Sequence, residues 1–403
     1  MSDLHCFRIL LPALVLVSLS LAGCQGGNDA SDTPDPEPVG YQTEVVIDGF
    51  QHAWGIAFLP SPNDDLALVT ERPGQLHLVN LETESATAIA GGPEVAAVGQ
   101  GGLLDVAVYP DFGPGQKWVY LSYSAAHPEN HQQYATHVAR ARLNLAEGRL
   151  EEKEVLLVAT PFSPSIAHFG SRLAFDDQWR LYITSGDRGE RDAAQALDSG
   201  WGKTLRIERD GRIPADNPFA DEPGITAAVF TYGHRNAQGM ALEPSTGLMW
   251  QNEHGERNGD EINILDQPGG NHGWPIATWS REYHNDEPIG VEPPAHPDTV
   301  DPIHYWVDGH YPDGQQGFPP SGLAFYQGEA FADWQGQLLM GNLAHRYLGR
   351  FERHGREITA EHRMLTELGY RIRDVAVHQG AIYVLVDEAS GPLLRVTPAD
   401  PPG

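Results

Sequence analysis

Residues 230–275 read FTYGHRNAQGM, a short apolar run, then QNEHGERNGDEINILDQPGGNHGWP, and they place two chemistries close together. Arg235, Asn236 and Gln238 offer a planar cation and two amides, suited to carboxylate and carbonyl oxygens. The following residues 253–261 form a glycine-containing loop crowded with acids, the donor composition that a hard cation prefers. Together the two halves point to an anionic, oxygen-rich small molecule held partly through a metal ion.

Further candidates lie far away in the chain. Gln100 sits in GQGGLLD, where glycines on both sides let backbone approach a ligand closely. His168 sits in PSIAHFGSRLAF, and a histidine is the side chain best suited to take a proton from a hydroxyl near neutral pH. Taken alone, the first reads as a glycine-rich turn and the second as a structural or exposed histidine. The loop 186–192, GDRGERD, either lines a pocket or is a solvated turn. Arg371 and Arg373 flank a single residue, so strand alternation puts both cations on one face, where they can meet an anion. His127, His131 and His137 lack the spacing of a zinc motif and read as surface residues.

The elements that must position these residues are short strands. Glycine (44) and proline (31) are abundant and long 3.6-residue stripes are scarce, so the chain reads as all-β. A strand–turn–strand phrase returns about six times at intervals of roughly 50–80 residues. Its instances begin at 55–58, 103–108, 171–175, 239–242, 322–325 and 373–377. This recurrence predicts a six-bladed β-propeller of four-stranded antiparallel blades over 41–399, in preference to a pair of β-sandwiches. In a propeller the first strands of all blades converge on one axis. Gln100, His168, Arg235 and Arg371, each just before a first strand, would then meet at one mouth. Helix is expected to be slight, with 192–199 the best candidate for a short turn.

The formal charge of −29 lacks the footprint of a nucleic-acid binder and reads mainly as a solvated acidic surface. Residues 9–21 are an apolar run too short for a comfortable membrane span, preceded by Arg8 and ending Leu21-Ala22-Gly23-Cys24. This resembles a bacterial lipobox, giving a lipoprotein signal peptide over 1–23 and lipidation at Cys24. Residues 24–40 then read as a flexible tether, and Gln25 leans the protein toward the outer membrane with its folded part in the periplasm. With Cys6 removed and Cys24 lipidated, the folded part keeps no thiol, so disulfides and thiolate-ligated metals are excluded.

GQGGLLD, AHFGSRLAF, TYGHRNAQGM, NEHGERNGDEIN, NHGWP and RIRDV occur in this order. Together they resemble the soluble pyrroloquinoline quinone (PQQ)-dependent sugar dehydrogenases, on the aldose sugar dehydrogenase branch of the glucose/sorbosone dehydrogenase family. The resemblance implies a six-bladed propeller with PQQ, a tricarboxylate quinone, across its mouth over Ca²⁺. It implies His168 as the base that removes the C1 hydroxyl proton of an aldose, and Gln100, Arg235, Asn236, Arg371 and Arg373 as cofactor contacts. The carbonyls of Gly255 and Glu256 match calcium ligands, and Glu261 an acid at a second, structural calcium. The product would be a lactone, the electron acceptor a quinone, a cytochrome or an artificial dye, and the assembly a monomer or homodimer.

The family pattern is broken at several positions. Ala167 stands where the glucose enzymes carry an acid that orients the base. No lysine occurs at 343–346, where Arg346 is the available cation. Glu256 replaces a proline, without consequence if only its carbonyl coordinates, and 307–318 reads as an insertion beside the sugar pocket. Two other functions use the same residues: a calcium-dependent lactone hydrolase, which leaves Arg235, Arg371 and Arg373 without a role, and a non-catalytic glycan- or protein-binding propeller, which has no need of His168.

Overall fold

A computed structural model describes residues 40–399; the signal segment, Cys24 and the expected tether up to residue 39 lie outside the described residues. The described strands form six four-stranded antiparallel sheets, the predicted propeller. In chain order the innermost strands are Ala53–Phe58, Leu103–Val108, Leu173–Phe175, Ala237–Leu242, Pro320–Phe325 and Ile372–His378, each opening one of blades 1 to 6. Each of these strands packs against the next, and the sixth packs against the first, so the ring is closed. The closing device is not part of the repeat. Tyr41–Phe50, the first strand in sequence, is the outermost strand of blade 6 and pairs antiparallel with Gly391–Pro398, Val45 opposite Leu394.

The core is distributed. Six apolar clusters each fill the seam between neighbouring blades, for example Leu68, Leu76, Leu103 and Leu121 between blades 1 and 2. Burying one such side chain stabilises by about 2 kcal/mol. The seam between blades 3 and 4 is the thinnest of the six, built around Tyr182, Phe230, Met240, Met249 and Leu265. Polar groups take over there: Thr184 Oγ1 donates to the Ala237 carbonyl at 3.1 Å and Thr204 Oγ1 to Gln251 Oε1 at 2.6 Å.

The axis itself is polar. Buried Arg172, leading into the blade 3 strand, donates Nη1 to Asp105 of blade 2 at 3.0 Å and lies 3.1 Å from Asp374 of blade 6. Its Nε donates to the Gln238 carbonyl of blade 4 at 2.9 Å. The second oxygen of Asp105 accepts from Leu173 N, and Asp374 Oδ2 from Ile56 N of blade 1. Glycine is required where these acids pass the neighbouring strand, because a Cβ on Gly322 would lie 1.9 Å from Asp374 Oδ1.

The short helical turn expected at 192–199 is a 3₁₀ turn confined to Arg191–Ala194. It stops because its carbonyls are taken from outside. Lys203 Nζ donates to the carbonyls of Ala193 and Ala194 at 2.9 and 3.0 Å, and Gly233 N to that of Ala194 at 3.0 Å. His137, expected at the surface, is partly covered in its strand and stacks on Tyr123 at 5.4 Å.

Two axial carboxylates share one guanidinium. Burial pushes Asp105 up to about 7, against the pull of Arg172, with Asp374 adding to the rise. A carboxyl raised in the folded state holds its proton there at a pH where the unfolded chain has lost it. Stability from this group is therefore present below the unfolded value of 3.8 and is lost as pH rises toward 7. Asp105→Asn should lower the melting temperature most at about pH 4 and below, with the gap to wild type narrowing as pH rises toward 7; a gap constant with pH would contradict it.

Candidate active site

His168 is held by contacts on both sides. Its backbone N donates to Gln100 Oε1 at 2.8 Å, and its φ of +53° is in the left-handed region that few non-glycine residues adopt. Its Nδ1 donates to Asp187 Oδ1 at 2.6 Å. Because an ionised carboxylate only accepts, this contact fixes the proton on Nδ1 and leaves the lone pair on Nε2, which has no hydrogen-bond partner among the described residues.

Asp187 is nearly fully buried and fully used. Gly189 N donates to Oδ1 and Trp274 Nε1 to Oδ2, both at 2.8 Å. Burial alone would raise its pKa, but the His168 hydrogen bond and charge, with Arg235 nearby, outweigh it and hold the carboxyl below its ordinary value. The acid missing beside the base at Ala167 is thus supplied from nineteen residues on, at the end of the second blade 3 strand. Loop 186–192 does both: its start, through Asp187, builds the site, while Gly189, Glu190 and Asp192 are exposed.

Beside this dyad lies a cleft of about 250 Å³. Gln100, Asn236, Arg371 and Arg373 line it, brought from blades 2, 4 and 6. Arg373 donates Nη2 to Asp387 Oδ2 at 2.7 Å and Nη1 to Gln238 Oε1 at 3.1 Å; Arg371 Nη2 lies 3.6 Å from the same Asp387 oxygen. Asn236 Oδ1 accepts from Gly170 N at 3.1 Å. Arg235, expected with them, does not line the cleft; it borders a smaller void beside the 255–259 turn, its guanidinium 5.3 Å from the Trp274 ring. Among the described residues the buried Nε groups of Arg235 and Arg373 have no hydrogen-bond acceptor, the state of donors suited to an anion.

Several lining groups are absent from the sequence reading. Trp54, Arg72, Leu343 and His254 all face the cleft. His254 donates Nε2 to the Pro320 carbonyl at 2.6 Å, and burial lowers its pKa to about 3, so it is a neutral wall. Arg346 does not replace the missing lysine. It points to the rim, donating to the Gly369 carbonyl and to Glu388, while Ala344 lines the cleft.

The stretch 253–261 is not all loop: Glu253 ends the strand Met249–Glu253 and Glu261 lies in the strand Asp260–Ile264, so of the expected cation ligands only Gly255 and Glu256 sit in the turn between them. Gly255 and Glu261 border a void about the size of one water molecule, with Glu253, His272 and Arg235. Glu261 is buried opposite Glu253 on the neighbouring strand, and burial followed by the Glu253 charge raises its pKa well above normal. Both oxygens of Glu253 are taken, by His234, Asn263 Nδ2 and Arg235 N, and the ring nitrogens of buried His272 beside the void have no partner among the described residues. Among the described residues no three His, Cys, Asp or Glu side chains are grouped as a metal site. The insertion 307–318 packs on this loop: Asp260 accepts from Gly255 N at 3.0 Å and from Phe318 N at 2.8 Å.

The glucose/sorbosone dehydrogenase family model matches residues 50–395. The chain belongs to this family. It is 38% identical over 362 residues to the aldose sugar dehydrogenase of Escherichia coli, covering 90% of this chain and 94% of that one. The crystal structure of the soluble E. coli aldose sugar dehydrogenase in its apo form superposes with a TM-score of 0.81 at 37% identity, over 89% of this chain and all of that one. The PQQ-bound aldose sugar dehydrogenase of Streptomyces coelicolor superposes with a TM-score of 0.71 at 25% identity, over 89% and 99%. The family is one of sugar dehydrogenases, so the chain is read as an oxidoreductase on a quinoprotein fold.

Gly186 is where this site tolerates no side chain. A Cβ there would lie 2.2 Å from the His168 carbonyl and 2.8 Å from Asn236 Oδ1. Gly186→Ala is expected to cost about 1–3 kcal/mol and to displace His168. Chemical denaturation measures the first and a crystal structure of the variant the second.

Proposed function

We propose that the protein oxidises the C1 hydroxyl of aldose sugars to lactones, with PQQ in the arginine-lined cleft and Ca²⁺ at the 255–256 turn. The observation that carries this reading is the His168–Asp187 dyad, with a free Nε2, set beside a cleft lined by Arg72, Arg371 and Arg373. When bound, PQQ supplies the hydride acceptor and calcium the Lewis acid that polarises it.

Each residue of the chain then has one task. His168 Nε2 accepts the C1 hydroxyl proton, and the imidazolium so formed is stabilised by Asp187, which also prevents the ring from rotating. Trp274 and Gly189 keep Asp187 ionised and aimed. Arg235, Arg371 and Arg373 neutralise cofactor carboxylates, Gln100 and Asn236 hold its polar edge, and the carbonyls of Gly255 and Glu256 take the cation. Glu261 serves a second, structural cation. A lactone hydrolase or a binding propeller would leave either the three arginines or the dyad without a task.

Adding PQQ and Ca²⁺ to purified protein should give dye reduction with glucose, xylose or another aldose; absence of PQQ binding would sink the reading. His168→Ala should abolish turnover while keeping PQQ bound. Asp187→Asn should lower kcat by about 10²–10⁴-fold with little change in PQQ affinity. A turnover unaffected by either substitution removes the dyad from the mechanism.

The same reading places the enzyme on the outer membrane, tethered through a lipid on Cys24 and facing the periplasm, with a quinone or cytochrome taking its electrons. Expressed in a bacterium, the full chain should incorporate labelled palmitate and sediment with membranes. Cys24→Ala should do neither, and equal labelling of both would rule out this anchor.

A further inference from the structure

The Glu256 side chain has no task in the chemistry above, yet it is not idle. Its Oε2 accepts a hydrogen bond from Arg191 Nη2 and lies 3.9 Å from Arg235 Nη2. Arg191 in turn donates to both oxygens of Glu282, Nη1 to Oε1 at 2.6 Å and Nη2 to Oε2 at 2.9 Å. The three residues come from three segments. Arg191 opens the 3₁₀ turn just after Asp187, Glu256 is in the turn after Met249–Glu253, and Glu282 is in the long excursion between Asp260–Ile264 and His304–Trp306.

Trp274 connects this cluster to the base. The guanidinium groups of Arg191 and Arg235 lie 5.6 and 5.3 Å from its ring, and its indole N–H holds Asp187. Among the described residues, Arg191–Glu256 is the only salt bridge between the 255–259 turn and the 186–194 segment. The turn's other ties run mainly to its far side, where Asp260 holds Gly255 N, Ser280 Oγ holds Glu256 N, Arg257 and Arg281 exchange backbone hydrogen bonds, and Gly259 N donates to the Trp306 carbonyl; Arg191 is what ties it to the segment that carries Asp187.

We propose that Glu256, Arg191 and Glu282 form an ionic clasp that pins the 255–259 turn against the His168–Asp187 segment. Glu256 is thus a positioning residue for the cation site through its carboxylate as well as its carbonyl. The inference rests on the functional reading above. Side chains of Arg191 and Glu282 are 32% and 23% exposed, so salt reaches the clasp. Cation affinity in this chain is therefore salt-dependent through a contact that does not touch the cation.

The test is a Ca²⁺ titration of the full-length protein with PQQ present, followed by the absorbance change on PQQ binding, at about 20 mM and about 0.5 M NaCl. Wild type should need several-fold more Ca²⁺ at high salt. Glu256→Gln and Arg191→Met should each weaken Ca²⁺ by about five- to ten-fold at low salt and lose most of the salt dependence. The double variant should be no weaker than either single one, because both remove the same contact. Glu282→Gln, which breaks only the outer half, should fall between, and it keeps the test open if a variant at 191 or 256 folds poorly. Wild-type Ca²⁺ affinity in Glu256→Gln, unchanged salt dependence, or additive losses would overturn the clasp while leaving the dehydrogenase reading intact. Failure of wild type to bind either PQQ or Ca²⁺ would overturn both.

Discussion

Arg172 is the contact on which the ring of blades depends. Its side chain reaches from blade 3 to acids of blades 2 and 6 and to a carbonyl of blade 4, and one of those acids holds a backbone N–H of blade 1. Truncating it would leave two carboxylates buried side by side with no counter-ion, a change that costs far more than the pair contributes when intact. The apolar seams make neighbouring blades adhere; this polar node fixes how they are rotated about the axis. It also sets the cleft floor. Trp54 stacks on Arg172 at 4.3 Å and faces the cleft, and Gln238 accepts from Arg172 through its carbonyl and from Arg373 through its side chain.

The site then occupies the seam that hydrophobic packing fills least. Between blades 3 and 4 the apolar cluster is small, and Asp187 N donates to the Arg235 carbonyl at 2.7 Å across the gap. Polar groups there are satisfied by one another, which holds the dyad without filling the space around it. The clasp at Glu256 adds a second tie of the same kind nearer the rim.

Charge is arranged in opposition to the whole. A chain of net charge −29 repels anions at long range, but screening limits that effect to about 8–10 Å at ordinary salt. Inside the cleft three guanidinium groups, Arg72, Arg371 and Arg373, face one carboxylate, Asp387. Asp387 serves Arg371, Arg373 and His52 at once, so it orients the arginines and offsets only part of their charge.

The recurrence of strand, turn and strand determined the six blades, because each blade is a local unit whose strands are neighbours in sequence. Short motifs likewise marked side chains that precede the inner strands: Gln100, Asn236, Arg371 and Arg373 line one cleft with His168 beside it, whereas Arg235 borders the smaller void by the 255–259 turn. What depended on distance did not show. Tyr41–Phe50 closes blade 6 because it pairs with a strand at the other end of the chain, and no local pattern records that partner. Asp187 is one acid among the fifty-five Asp and Glu residues, and only its 2.6 Å contact with His168 separates it from a surface charge. Arg346 had the right charge in the right stretch, yet its backbone, at φ +62°, sends the side chain to Glu388 on the rim. Residue type and spacing determined the chemistry on offer; the direction of each side chain, which decides what meets what, was set only when the blades closed into a ring.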